Sequence, residues 1–106
     1  MEYISTRNKK KTFSFKDVFL KGLADDGGLF VPKDIPKYTE NEIKGLKKLS
    51  YNELATNIIL KFCNEEFNEK EIKEIVGNSY KNFRVENVVK IKKMGKLTLL
   101  ELFHGP

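Results

Sequence analysis

Four local signatures fix most of what this chain can become: Ser14 followed by Asp17, Thr39 by Glu42, Ser50 by Glu53 and Asn68 by Glu71. In each, the first side chain can accept the orphan backbone N–H three positions on, and the acidic residue lies in the positive first turn. They predict helix starts at 14, 39, 50 and 68. Phe15, Val18, Phe19 and Leu23 recur at helical spacing after the first, giving one greasy face. Ile43, Leu46 and Leu49 make a narrower stripe after the second, which Gly45 weakens. The third is the strongest: Tyr51, Leu54, Ala55, Ile58, Ile59 and Phe62 keep the i, i+3, i+4 pattern, which predicts the central core helix. Ile72, Ile75, Val76 and Tyr80 supply the fourth, with Gly77 weakening its last turn or marking its end.

Strands are predicted on either side of this helical stretch. Glu2–Ser5 is a short one, and the run TRNKKKT from Thr6 to Thr12 reads as a solvated basic connection rather than a phosphate-binding arm. DDGG, Asp25 to Gly28, permits a sharp reversal into a brief strand, Leu29–Val31, that Pro32 ends. A phosphate-cradling glycine loop follows a strand and opens a helix. This pair does the opposite, so it reads as structural. Lys33–Tyr38 is a Pro-containing connector, and Asn78–Glu86 crosses over to a second run of strand formers.

Val88–Ile91, the turn residue Gly95 and the segment KLTLLELF predict an antiparallel hairpin. Its second strand carries apolar residues on both faces, Leu97, Leu99 and Phe103 on one and Leu100 and Leu102 on the other, which predicts cover on both sides. Glu101 interrupts that run, where an unpaired charge is costly, so it should have a partner. The strand delivers His104, Gly105 and Pro106 to its C-terminal end, as α/β enzymes bring chemical groups to a sheet edge. The expected fold class is therefore α+β, about four helices packed on a small sheet, in one domain spanning residues 1–106. The hydrophobic fraction of 40% suffices for a modest core. The abrupt end of a two-sided strand suggests the front portion of a longer enzyme.

The chemical inventory is sparse. One histidine and one cysteine cannot build a metal centre or a disulfide, and Cys63 reads as a packed hydrophobe rather than a nucleophile. No serine sits at a nucleophile elbow to use His104 as its base. A net charge of +5 rests almost wholly on lysine, with Arg7 and Arg84 the two arginines. Phe15, Phe19, Tyr51 and Phe62 fall on predicted core faces, which argues against a nucleic-acid surface. No apolar run approaches membrane-spanning length and no leader is evident, so no membrane partner is expected and the cytoplasm fits best.

Three stretches in order resemble the N-terminal domain of the threonine synthase family: YISTRN (Tyr3–Asn8), SFKDVFLKGLADDGGLFVP (Ser14–Pro32) and ELFHGP (Glu101–Pro106). LSYNELA, Leu49 to Ala55, resembles the start of the family's core helix more weakly. The resemblance implies a fold-type-II enzyme dependent on pyridoxal 5'-phosphate, a lyase of amino-acid biosynthesis that makes L-threonine and phosphate from O-phospho-L-homoserine and water. In that family the Schiff-base lysine follows the HGP segment, so no catalytic residue is carried onto residues 1–106, which alone should be inactive and bind no cofactor. His104, Gly105 and Pro106 would approach the active site. The segment Val85–Lys93 departs from the family in being lysine-rich and lacking a proline. A threonine-synthase-like phospholyase and a non-catalytic binding module are the competing readings.

Overall fold

A computed structural model describes residues 1–84 and 88–105. The element order is β1 (Tyr3–Ser5), β2 (Thr12–Phe13), α1 (Phe15–Lys21), β3 (Phe30–Pro32), α2 (Glu40–Leu46), α3 (Tyr51–Cys63), α4 (Glu69–Tyr80), β4 (Lys90–Met94) and β5 (Leu97–Glu101). The α+β class with four helices holds. The small sheet is in fact two: an antiparallel sheet in the order β2-β1-β3 and a separate β4-β5 hairpin.

All four helices begin where the capping boxes place them. The side chains of Ser14, Thr39, Ser50 and Asn68 accept from the N–H groups of Asp17, Glu42, Glu53 and Glu71, and each carboxylate reaches back to its cap's own N–H. Two orphan donors are satisfied at each helix start by residues three apart, so neighbouring packing is not needed to define it. α1 stops at Gly22, whose φ of 73° only glycine adopts freely and whose N–H bonds back to the Val18 carbonyl.

β1 is buried throughout and pairs on both sides, with Tyr3 opposite Phe13 and Pro32, and Ser5 opposite Phe30. The strand β2 lies at the end of the stretch read as a basic loop. Its Phe13 packs edge-on against Phe30 with centroids 4.9 Å apart, which gives a two-residue strand a reason to pair. β3 runs one residue later than expected and includes Pro32, tolerated because this strand lies at a sheet edge.

The core is built on Cys63, Ile72 and Val76, joining the end of α3 to the middle of α4, with Phe15, Ala55, Leu60, Phe67 and Tyr80 packed around them. Cys63 is buried, as a packed hydrophobe should be, and burial followed by the Glu66 charge pushes its thiol pKa up. The Tyr3 hydroxyl donates to the Phe62 carbonyl at 2.8 Å and the Lys16 N–H to Glu66 Oε1 at 3.3 Å, so the first sheet and α1 are both tied to the α3–α4 corner.

Several predicted core positions lie elsewhere. Phe19 and Leu23 are exposed, since the helix ends at Gly22 and only Phe15 and Val18 of its stripe turn inward. Ile58 and Ile59 are partly open while Thr56, whose hydroxyl donates to the Asn52 carbonyl, is buried in their place. Gly77 lies inside α4, which continues to Tyr80.

The hairpin has the predicted turn, with Gly95 at φ 61°, and pairs Ile91 with Leu100 and Met94 with Leu97. Its first strand begins later than expected, at Lys90, after Val88 at φ 60°. Residues 1–106 do not themselves supply the expected cover on both sides: Leu97 is 75% accessible, and Leu99, Leu100, Leu102 and Phe103 are exposed too. The hairpin packs mainly on itself, and a two-stranded ribbon has no layer of its own to bury either face. A radius of gyration of 16.7 Å, against about 13 Å for a compact chain of this length, reflects that projection. Residues 85–87 of the predicted crossover and of the lysine-rich departure lie outside the described residues.

Candidate functional site

The strand β5 ends at Glu101, and the chain then turns so that the His104 ring comes back to it. Nε2 of His104 lies 2.7 Å from Oε2 of Glu101, with side-chain accessibilities of 16% and 12%. The partner expected for a glutamate in an apolar strand is thus the histidine three residues on. That hydrogen bond, then the positive charges of Lys90 and Lys92 on β4, hold the Glu101 carboxyl below its ordinary pKa. The Phe103 and His104 rings lie 4.7 Å apart.

The backbone here is fixed from the helical body. The Arg84 N–H donates to the His104 carbonyl at 3.0 Å. A Cβ on Gly105 would stand 3.4 Å from the Phe83 ring, an ordinary van der Waals contact, so the chain runs close alongside that ring. Phe83 meets Tyr80 edge-on at 4.9 Å, and Tyr80 meets Tyr51 in the same way at 4.9 Å. Of the residues expected at the site, His104 and Gly105 are brought together, and Pro106 lies outside the described residues. Phe83 and Arg84 were missed. The signal for Phe83 was its three-residue spacing from Tyr80, while nothing local marks Arg84.

A second polar constellation sits where β1 meets the glycine turn. The Ser5 hydroxyl donates to Asp26 Oδ1 at 2.7 Å and accepts from the Arg7 N–H at 3.1 Å. The Gly28 N–H donates to the same carboxylate oxygen at 2.9 Å, and Arg7 Nη1 donates to the Asp26 carbonyl at 3.0 Å. These bonds, with Ser5 first, Gly28 next and then the Arg7 charge, lower the Asp26 pKa. Every partner is internal, so the turn is a structural clasp, as the order helix, glycine pair, strand implied. Among the described residues no group of three or more His, Cys, Asp or Glu is placed to hold a metal ion, and no helix is long and apolar enough to cross a membrane.

The stretches that built the resemblance are the first sheet with its clasp and the end of β5. Comparison with known proteins covers both. The family model described as "Threonine synthase N terminus" matches residues 2–80. Threonine synthase from Schizosaccharomyces pombe is 40% identical over 108 residues, and that from Pseudomonas aeruginosa 39% over 107 residues, each alignment covering 100% of this chain. The chain spans 21% and 23% of their respective lengths. The crystal structure titled as PLP-bound threonine synthase from Brucella melitensis superimposes with a TM-score of 0.92 at 36% identity, over 100% of this chain and 23% of that one. On a family match over residues 2–80, agreeing with the fold and with the HGP segment, this chain belongs to the threonine synthase N-terminal family.

Proposed function

We propose that residues 1–106 form the N-terminal domain of a threonine synthase, an enzyme converting O-phospho-L-homoserine and water to L-threonine and phosphate with pyridoxal 5'-phosphate, in the cytoplasm. The observation that carries this reading is the end-to-end alignment at 40% identity with a threonine synthase about five times as long. The partner is then a small molecule, and the reading assigns none among nucleic acids or membranes. A substrate bearing phosphate and carboxylate groups gains from the chain's excess of positive charge.

The residues described here do not by themselves fit the cofactor. Pyridoxal phosphate needs a lysine amine at its aldehyde and an enclosed pocket for its ring and phosphate. Every described lysine is exposed except Lys61, which is only partly enclosed, stacked 3.9 Å over the Tyr38 ring and 3.9 Å from Glu42. The chain's own contribution is therefore scaffolding, with His104 and Gly105 as the residues presented toward the reaction centre.

The test uses the longest product of the gene containing these residues, supplied with pyridoxal phosphate and O-phospho-L-homoserine. Threonine and phosphate in equal amounts support the proposal. Phosphate with a keto product assigns the phospholyase chemistry instead, and absence of turnover overturns both. Residues 1–106 alone should produce no threonine.

A further inference from the structure

His104 is the single histidine of the chain, and its ring is held at one nitrogen. An ionised carboxylate only accepts hydrogen bonds, so the 2.7 Å contact with Glu101 requires the hydrogen to sit on Nε2, whether the ring is neutral or protonated. The bond made by one ring nitrogen decides the tautomer and leaves the other for chemistry. Low accessibility of both side chains protects the bond from competing water. The Arg84 bond to the His104 carbonyl and the neighbouring Phe103 ring restrict the backbone and the ring. Among the described residues no hydrogen bond is made to Nδ1.

From this geometry we infer that Glu101 is a positioning residue that locks His104 as the Nε2–H tautomer, so that any proton His104 exchanges with a ligand passes through Nδ1. Protonated, Nδ1 donates to an anion such as a phosphate monoester. Neutral, it accepts from an ammonium or hydroxyl group. An amino-acid phosphate offers both kinds of group. The part concerning the ligand rests on the proposed function, whereas the lock is a property of this chain.

Because one imidazole is present, long-range ¹H–¹⁵N correlation on the ¹⁵N-labelled chain reads its two nitrogens without assignment ambiguity. At alkaline pH the Nε2–H form should exceed the Nδ1–H form by about tenfold or more, as expected of a hydrogen bond to a charged group. Glu101→Gln should reduce that bias several-fold while backbone shifts of β1–β3 stay in place, and Glu101→Asp should keep part of it. An Nδ1–H ring in the unsubstituted chain, or a ratio that Glu101→Gln leaves unchanged, overturns the lock. In the longer gene product, Glu101→Gln should lower kcat and move its pH profile with KM held within about twofold. A fall in stability with that profile unmoved would make the pair merely structural and overturn the functional half. Failure of the unsubstituted enzyme to make threonine would refute the proposed function and leave the tautomer result standing.

Discussion

Replacing Gly28 with alanine should be the most damaging single-methyl change in this chain, and the reason is steric rather than torsional. Gly28 is not at positive φ. A Cβ there would be driven into the Ser5 hydroxyl and would stand 2.9 Å from Asp26 Oδ1 and 3.0 Å from Thr6 Oγ1. Ser5 is 1% accessible on the central strand of its sheet, and its hydroxyl is engaged on both sides, so it cannot swing away. Overpacking of this kind costs about 1–3 kcal/mol, and pulling the buried Ser5 hydroxyl off its partners about 1–3 kcal/mol more. The sum, about 2–6 kcal/mol, is a large share of the roughly 5–15 kcal/mol that holds a domain of this size together. The neighbouring Gly27 is the internal control. It has φ 76°, and its Cβ would meet only the movable end of Arg7, so Gly27→Ala should cost the left-handed penalty of about 1–2 kcal/mol. Urea titration followed by far-UV circular dichroism gives both values if the m-value is unchanged. In a Ser5→Ala background the Gly28→Ala cost should shrink by about 1 kcal/mol or more, because the clashing oxygen is gone. A Gly28→Ala variant no less stable than Gly27→Ala, or strict additivity with Ser5→Ala, would refute the reasoning.

Three further outcomes are expected. Gly45→Ala and Gly77→Ala place a methyl group in open space inside α2 and α4, so each should raise the urea midpoint, with a gain of about 0.5–1 kcal/mol; a loss at either site would show that the glycine is required. Asp17, Asp26, Glu42, Glu53 and Glu101 all have lowered pKa values, held mainly by Ser14, Ser5, Thr39, Ser50 and His104 in turn. A depressed carboxylate contributes stability above its unfolded pKa and loses it as pH falls through the folded one, so the urea midpoint should drop below about pH 4; Asp26→Asn should flatten that acid limb, and an unchanged limb counts against the clasp. Cys63 is buried with a raised thiol pKa, so alkylation of the native chain should be far slower than that of a free thiol and accelerate near the urea midpoint; rapid alkylation without urea would contradict the packing around it.

What could be read from the residues was whatever is decided within a few positions. The capping boxes depend only on a three-residue spacing, and the Gly95 turn only on one residue's freedom at positive φ. Both are found where expected. Periodicity was weaker evidence, since it says that a face is apolar and not what covers it. Phe19, Leu97 and Leu99 were therefore assigned to buried faces and are exposed. β2 escaped notice because two residues carry no period, and its pairing follows from Phe13 meeting Phe30, far away in sequence. At the candidate site, the need of Glu101 for a partner was legible from the cost of a bare charge among leucines. That the partner would be His104 depended on the backbone turning back after β5. The Arg84 and Phe83 contacts join segments separated by the whole hairpin, which no local pattern encodes.

The hairpin packs mainly on itself, yet its last residues are the ones that matter for the proposed chemistry, so their position must come from elsewhere. The route is aromatic. Tyr51 at the start of α3 meets Tyr80 at the end of α4, Tyr80 meets Phe83, and Phe83 supports Gly105, each ring pair in the edge-on geometry that resists sliding. One backbone hydrogen bond, from Arg84 to the His104 carbonyl, fixes the chain direction at the same point. The core that holds α3 against α4 is thereby coupled to the histidine through three rings and one peptide bond. Within this chain the helices bury only a modest core. Their second role is to hold the end of β5 in register while its leucines remain exposed.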